Sequence, residues 1–328
     1  MNINLAPKAT EAKNLPEQLG FTSLPPFSVI KRSMTWKRPN RMRAIRESEA
    51  NESIAEVYNE IKSTLSLPQV PLFFQMCAAN GPFLPQFWEA VTPVVRTRTF
   101  MAAAQRLRAD AYTRMHNYFE IPAALDSFGL AAPAELAATL ELFHYQGGAL
   151  LLLLSLAVEA FDNPIGQHRA SREESSPQPF CFAPILVEEE VAAPATRKVL
   201  DEVRRQYGLG VVPTEFRALA AWPAFLHQHW QLWKRMAHSP ILAAFEHQLL
   251  LHSIELAHEL PGPVELSLAS LRQSGMNEEE FSSIVRFTNR WNRASAMLLL
   301  QIAAAKISAE GGTGRMQPTK EDRQEQAA

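Results

Sequence analysis

Residues 57–88 read VYNEIKSTLSLPQVPLFFQMCAANGPFLPQFW, and residues 199–230 read VLDEVRRQYGLGVVPTEFRALAAWPAFLHQHW. The two stretches align without a gap at an offset of 142 positions. The identical pairs include Glu60 with Glu202, Pro71 with Pro213, Phe74 with Phe216, Ala78 with Ala220, and Trp88 with Trp230. Helical periodicity alone does not place prolines and tryptophans at matching positions, so the alignment predicts an internal repeat.

A second pair of segments extends this repeat. LFHYQGGALLLLLSLA (142–157) lies opposite RFTNRWNRASAMLLLQ (286–301), with an offset of 144 from Phe143 to Phe287. An apolar stripe of helical spacing runs through Ile54, Val57, Tyr58, Ile61 and Leu65. Strand signals are nearly absent. We therefore predict an all-α protein, built from two tandem helical repeats that pack as an internal pseudo-dimer.

Local signals also predict where helices begin. Pro122 and Pro133 suit a first helical position. Ser239 before Pro240 has the pattern of a capping residue and a first turn. Asn277 and Glu280 have the spacing of a reciprocal cap.

Composition divides the chain into five parts. Residues 1–50 are rich in Pro, Lys and Arg and are predicted to be a disordered basic arm. Residues 51–161 and 194–308 hold the two repeats. Residues 162–193 carry turn residues and charges without a sustained period, which predicts a surface linker. Residues 309–328 are predicted to be a disordered tail.

The overall composition favours a small-molecule ligand over a polymer. The 328 residues are 47% hydrophobic and 20% charged, with a formal net charge of -2. That balance is typical of a soluble globular protein. It gives no long-range electrostatic field that would attract nucleic acid or an anionic membrane. The most apolar run, 149–158, is about half the length of a membrane span and is predicted to be a buried helix.

Cysteine usage and the N-terminal segment predict a cytoplasmic protein. Cys77 and Cys181 are far apart and form no C-x-x-C, so neither a disulfide framework nor a cysteine zinc site is expected. The first residues contain no apolar segment of the secretory type.

The carboxylate of Glu215 is the main candidate for chemistry. It follows Pro213 and Thr214 in LGVVPTEFRALAAWPAF (209–225), where we predict that Thr214 caps a helix. Its partner in the repeat is Phe73, so only the second copy carries the acid. Two roles are open. In the first, Glu215 only interacts favourably with the positive end of a helix; in the second, the same dipole keeps it ionised to take a proton from water.

Three stretches resemble blocks of the group I 2-haloacid dehalogenases, also labelled halocarboxylic acid dehydrogenases. They are LPQVPLFFQMCAANGPFLPQFW, VPTEFRALAAWPAFL and FHYQGGALLLLLSLA, and the resemblance runs from about Ile54 to about Lys306. It implies an all-α pseudo-dimer that often dimerises further. It also implies that an aspartate activates a water, which displaces halide from C2 of a 2-haloacid with inversion and without a covalent ester or a cofactor.

The resemblance places the family's site on this chain with several substitutions. The catalytic aspartate falls at Glu215, and the serine beside it falls at Thr214. The water-orienting asparagine falls at Gly147, and a pocket tyrosine falls at Leu150. A tryptophan and a phenylalanine of the pocket wall match Gln69 and Leu72. The predicted pocket is Gln69, Pro71, Leu72, His144, Gly147, Leu150, Pro213 and Thr214 around the catalytic Glu215. His144 and Gln146, in the same turn as Gly147, are candidates to replace the asparagine; the alternative for His144 is an ordinary core or surface histidine.

Two function classes follow from these substitutions. The first is hydrolysis of a small 2-substituted carboxylic acid by Glu215-activated water, without a metal or another cofactor. The alternative is a non-catalytic or differently specific binding protein on the same scaffold. Two Glu-x-x-His pairs, Glu141 with His144 and Glu255 with His258, have the spacing of helical metal ligands. The repeat does not relate them, so no metal site is predicted. A Glu215 that faces an enclosed space favours the enzyme, and one that faces bulk solvent favours the binding protein.

Overall fold

The described part of the chain is mostly helical. The computed structural model describes residues 43–124, 133–167, 173–175, 179–272 and 275–313. Within these ranges the extended segments form only isolated bridges, such as the antiparallel one between Ile165 and Val264. The predicted all-α class is therefore confirmed.

The helices are numbered in chain order over the described residues. Their bounds are α1 Glu52–Leu65, α2 Leu72–Cys77, α3 Phe83–Val95, α4 Arg98–Tyr118, α5 Ala134–Ala160, α6 Pro194–Tyr207, α7 Thr214–Leu219, α8 Pro223–Met236, α9 Pro240–Glu259, α10 Leu268–Arg272 and α11 Glu278–Ala309. A short 3-10 helix, Glu47–Glu49, precedes α1.

The helix order recurs along the chain. Helices α1 and α6 have 14 residues each, and α2 and α7 have 6 residues each. Both pairs begin 142 positions apart, at Glu52 and Pro194 and at Leu72 and Thr214. Helices α3, α4 and α5 are followed in the same order by α8, α9 and α11, with the short α10 inserted before α11.

A ring contact also recurs at this offset. The rings of Phe74 and Trp88 lie 5.8 Å apart at an interplanar angle of 86°. The rings of Phe216 and Trp230 lie 5.9 Å apart at 85°. The contact between α2 and α3 is thus repeated between α7 and α8 with nearly the same geometry.

The core is formed by the four long helices α4, α5, α9 and α11, which pack against one another. Helix α5 is apolar around its whole circumference, and by length and composition it could cross a membrane. However, 78% of its most apolar window is buried inside the fold. A helix that is hydrophobic all round and covered by neighbours is a core helix. The prediction that 149–158 form a buried helix is confirmed.

Two glycines let α5 approach its neighbours closely. A Cβ atom at Gly148 would lie 2.6 Å from the carbonyl oxygen of Ala104 on α4. A Cβ atom at Gly147 would lie 3.1 Å from Cδ1 of Leu299 on α11. The first neighbour is backbone and cannot move alone, whereas the second is the end of a flexible side chain.

We expect Gly148→Ala to destabilise the protein by about 1–3 kcal/mol, because the added methyl group forces α4 and α5 apart. Gly147→Ala is the matched control. There the gain in helix propensity, up to about 1 kcal/mol, offsets the shift of Leu299. Urea unfolding of both variants measures the difference. Equal free energies of unfolding for the two variants would contradict the close approach of α5 to α4.

The described fold begins before residue 51. The Tyr58 hydroxyl donates to the Ile45 carbonyl at 2.8 Å, and the Val70 amide donates to the Glu47 carboxylate at 2.8 Å. Residues 43–50 of the predicted disordered arm are therefore attached to the body, and residues 1–42 lie outside the described residues. At the other end, the Thr313 amide donates to the Ile121 carbonyl at 3.0 Å. The predicted tail is thus ordered at 309–313, and 314–328 lie outside the description.

The segment between the helix series runs over the surface, as far as it is described. The Arg98 amide donates to the Glu173 carbonyl at 2.8 Å, and the Val187 amide donates to the Arg217 carbonyl at 3.0 Å. The predicted linker therefore contacts α4 in the first series and α7 in the second.

Two of the four predicted helix starts agree with the structure. The Ser239 side chain accepts the Ile241 amide, and Asn277 with Glu280 forms the reciprocal cap. Pro133 is one position outside its helix, as the capping residue of α5. The prediction for Pro122 is wrong, since the described residues around it, 121–124, are not helical.

Candidate active site

Helix α7 carries Glu215 in its first turn. The capping residue is Pro213, with φ -56° and ψ 144°, and the Phe216 amide donates to its carbonyl at 3.1 Å. Thr214 is already helical and makes no side-chain cap, so its predicted capping role is wrong. The extended backbone of Pro213 starts the helix one residue earlier than expected. Pro71 has nearly the same dihedral angles before α2.

The Glu215 side chain is directed into the protein. Only 7% of the residue is exposed. Burial raises the pKa of its carboxyl group to about 7, and a hydrogen bond from its own backbone amide acts in the opposite direction. Removal from water disfavours the ionised form, which accounts for the direction of the shift. A carboxyl group that titrates near neutral pH is suited to act as a general base there.

A buried polar cluster lies beside Glu215. The Tyr207 hydroxyl donates to the side-chain oxygen of Gln301 on α11. Burial raises the pKa of Tyr207, and the charges of Glu215 and Glu246 raise it further. Burial also raises the pKa of Glu246 to about 7, against the opposing effect of Arg293. Helices α6, α7, α9 and α11 thus bring ionisable groups together in the interior.

Sequence analysis missed three members of this cluster, although the repeat contains the signal. Tyr207 stands 142 positions after Leu65, Glu246 stands 142 positions after Ala104, and Gln301 stands 144 positions after Ala157. Each is a polar residue whose counterpart is apolar. The same criterion that selected Glu215 over Phe73 would have selected them.

A groove of about 2030 Å³ runs between α2 and α7, along the first turns of α11. Gln69, Leu72 and Thr214, three residues of the predicted pocket, line it together. Glu215 is not among its lining residues. Thr214 therefore faces the groove, while Glu215 lies behind the groove wall. Pro71 and Pro213 are buried at the two helix starts that form its sides.

Gly147 and Leu150 lie on helix α5, which packs against α7. Leu150 is 7% exposed. Leu299 occupies the space beside Gly147, so the glycine does not open room for a larger ligand there.

The ring of His144 contacts α4. Its Nε2 lies 3.1 Å from the Arg108 carbonyl, and its ring packs near Tyr112. Burial and the nearby Arg108 charge lower its pKa to about 4. The buried Oε1 of Gln146 has no hydrogen-bond partner among the described residues, and neither has Nδ1 of His144. Both candidates for replacing the asparagine therefore keep a free acceptor.

The two Glu-x-x-His pairs have other partners. Glu141 binds Arg108 at 2.6 Å and Lys306 at 3.1 Å. His258 lies 3.2 Å from Glu159. Within the described ranges, no group of three or more His, Cys, Asp or Glu residues is arranged to hold a metal ion.

Comparisons with known proteins agree with this architecture. Residues 68–212 match the family described as Halocarboxylic acid dehydrogenase DehI. The chain is 22% identical over 283 residues to an (R)-2-haloacid dehalogenase of Pseudomonas putida, covering 82% of this chain and 93% of that protein. The chain is similar in sequence to 2-haloacid dehalogenases. A second relative, an (R)-2-haloacid dehalogenase of Rhizobium sp. (strain NHG3), is 25% identical over 232 residues, covering 69% of this chain and 90% of the relative.

Solved dehalogenase structures share the fold. A D-2-haloacid dehalogenase mutant in complex with D-2-CPA superposes with a TM-score of 0.76 at 22% identity, covering 81% of this chain and 95% of that one. A D-2-haloacid dehalogenase with L-LA gives the same TM-score. The family match includes Gly147 but ends before Glu215.

Proposed function

We propose that this chain is a hydrolase that cleaves the carbon–halogen bond of a small 2-halocarboxylic acid. The observation that carries the proposal is the burial of Glu215, with a pKa of about 7, in the first turn of α7. An acid kept only for its interaction with a helix end needs no such burial. The similarity to (R)-2-haloacid dehalogenases over most of the chain supports the reaction class.

In the proposed mechanism, ionised Glu215 takes a proton from a bound water molecule. The water oxygen then forms a bond to C2 of the substrate on the face opposite the halogen. The halide leaves with the bonding electron pair, and the product is a 2-hydroxy acid of inverted configuration. Glu215 returns the proton to solvent. No cofactor takes part in these steps.

The proposal includes the arrangement of the two helix series. Recurrence of helix order and of the Phe–Trp contact supports an internal pseudo-dimer, with α1–α5 facing α6–α11. The site then lies between the halves, with the acid supplied by the second one alone. A homodimer of whole chains, as the family resemblance implies, is part of the same proposal.

Halide release from (R)- and (S)-2-chloropropionate tests the function, with Glu215→Gln as the matched variant. We expect release by the native protein well above that of the variant. Release equal to that of the variant for both enantiomers would remove the dehalogenase proposal. The non-catalytic binding protein would then be the remaining function.

Direct attack by water predicts the source of the product oxygen. With enzyme in excess over substrate in water enriched in oxygen-18, the first turnover should give a 2-hydroxy acid whose hydroxyl oxygen carries the label. If Glu215 instead formed an ester with the substrate, the first turnover would place unlabelled carboxylate oxygen in the product. Mass spectrometry of the product distinguishes the two, and an unlabelled first product would contradict the proposed mechanism.

A further inference from the structure

The first half contains a closely packed aromatic cluster. Phe73 is fully buried on α2, and its ring contacts four others. The distances between ring centroids are 5.4 Å to Phe74, 5.9 Å to Phe87, 5.6 Å to Phe287 and 5.9 Å to Trp291. Rings from α2, α3 and α11 thus fill the space around this position.

The corresponding positions of the second half have a different character. The counterparts of Phe73, Phe74 and Phe87 are Glu215, Phe216 and His229, each 142 positions later. The counterparts of Phe287 and Trp291 are Phe143 and Gly147, each 144 positions earlier. Two rings are kept, two become polar side chains, and the largest is replaced by glycine.

One ring contact has nearly the same geometry in both halves. The Phe216–Trp230 contact repeats the Phe74–Trp88 contact within 0.1 Å and 1°. Glu215 and His229 are the immediate neighbours of those two residues in sequence. Helix α7 packs against both α8, which carries His229, and α5, which carries Gly147. By the offset of 142, Glu215 and His229 correspond to Phe73 and Phe87, whose ring centroids lie 5.9 Å apart.

His229 is a buried polar side chain whose hydrogen bonds are unmade. It is 2% exposed, and its ring stacks on Phe225 at 6.0 Å. Neither ring nitrogen has a hydrogen-bond partner among the described residues. Leaving a buried donor and acceptor unpaired is costly, so native proteins satisfy such groups with a ligand or an ordered water. His144, by contrast, has one ring nitrogen satisfied by the Arg108 carbonyl.

We propose that His229 faces the same space as Glu215 and hydrogen-bonds the attacking water there. The inference rests on the proposed function. It assigns to α8 the water-binding group that the family resemblance places at Gly147, where this chain has no side chain to offer. The polar groups at Glu215 and His229 together define the site.

The chemistry of a neutral imidazole fits this role. Burial lowers the pKa of His229 to about 4, so one ring nitrogen is unprotonated near neutral pH. That nitrogen accepts one hydrogen of the water while the Glu215 carboxylate takes the other as a proton. The lone pair of the water oxygen is then left to form the bond to C2. The second ring nitrogen, which carries a hydrogen, can donate to a polar atom of the bound acid.

Nitrogen-15 NMR of the histidine rings tests the placement independently of activity. His229→Gln and His144→Gln assign the two signals by their loss. We expect Glu215→Gln to move the His229 signals and leave those of His144 in place. Glu141→Gln is the matched control, because Glu141 acts on His144, and it should move only the His144 signals. His229 signals that ignore Glu215→Gln would overturn the shared site.

Kinetics test the role in catalysis. His229→Phe restores the residue type of the first half and removes both nitrogens. We expect it to lower kcat for 2-chloropropionate about a hundredfold, with KM changed far less. His229→Asn should recover part of the loss, since an amide can also hold a water. His227→Phe, two residues earlier on α8, is the control and should keep native kcat.

The outcomes separate this inference from the proposed function. If the native protein releases no halide, the function fails whatever His229 does, and movement of the His229 signals still decides whether it shares a site with Glu215. If the native protein is active and folded His229→Phe keeps its kcat, the function stands and the water-binding role is overturned. Circular dichroism melting shows whether the variants are folded. His229→Asn provides the measurement if His229→Phe is not.

Discussion

Replacing Glu215 with glutamine is expected to lower kcat for halide release about a thousandfold, within the usual contribution of a general base. Glutamine keeps the size of the side chain and its position in the first turn of α7 but accepts no proton. Because Glu215 is buried, bulk water cannot readily take its place. Steady-state halide release under saturating substrate measures the change. A variant within about threefold of the native kcat would exclude Glu215 as the base.

The pH dependence of the native enzyme should report the same group. The base works only when ionised, and burial raises its pKa to about 7. We expect kcat/KM to rise about tenfold per pH unit below pH 7 and to reach a plateau above it. An exposed glutamate, with its pKa near 4.5, would give a profile that is flat through this range. A flat profile between about pH 5 and 8 would contradict the buried base.

Stability serves as the control for this variant. A carboxyl group whose pKa is raised by folding binds its proton more tightly in the folded protein. Its ionised form therefore opposes folding, increasingly as the pH rises from about 4.5 to about 7. Glu215→Gln removes that cost, on the order of 2–3 kcal/mol at pH 8. A variant that is inactive and at least as stable as the native protein has lost catalysis and not its fold.

The reciprocal substitution in the first half is expected to have the largest effect on stability. Phe73→Glu removes a fully buried ring from contact with four others and places a carboxyl group among them. Loss of a buried Phe costs about 3–5 kcal/mol, and an unpaired buried carboxyl adds to it. The total approaches the whole stability of a typical protein. We expect the melting temperature to fall by more than about 10 °C or cooperative unfolding to be lost.

Two further variants show whether the loss of stability comes from changing position 73 at all or from the carboxyl group placed there. Phe73→Leu keeps the site apolar and should cost much less, because only part of the ring contact is lost. Glu215→Phe makes the opposite exchange in the second half and should leave the protein folded. If Phe73→Glu melted at the same temperature as the native protein, position 73 would tolerate a carboxyl group as position 215 does. That result would contradict the proposed difference between the two clusters.

The sequence was sufficient to predict the all-α class. The offset of 142 found in the sequence also relates α6 to α1 and α7 to α2 to the residue. It could do so because prolines and large aromatic residues constrain a helix start and its packing, and these are what the two copies share. The contrast between Phe73 and Glu215 likewise needed no coordinates.

The surroundings of the acid could not be predicted in the same way. Whether Gly147 left a space depended on Leu299, a residue on another helix 152 positions away. The partner of His144 is a backbone carbonyl on α4, which side-chain spacing cannot indicate. The capping role assigned to Thr214 failed because the backbone angles of Pro213, and not a hydroxyl group, determine where α7 begins.

The cluster around Phe73 and the matching cluster around Glu215 differ in composition, and this difference affects how each half contributes to stability. Where α2 and α3 meet α11, aromatic rings make contacts that favour the folded state. Where α7 and α8 meet α5, buried polar groups contribute less to the stability of the folded state. Directed evolution for heat resistance alone would therefore tend to replace the polar residues of the second cluster with aromatic ones. The protein would gain thermal stability and lose the groups that are proposed to bind water.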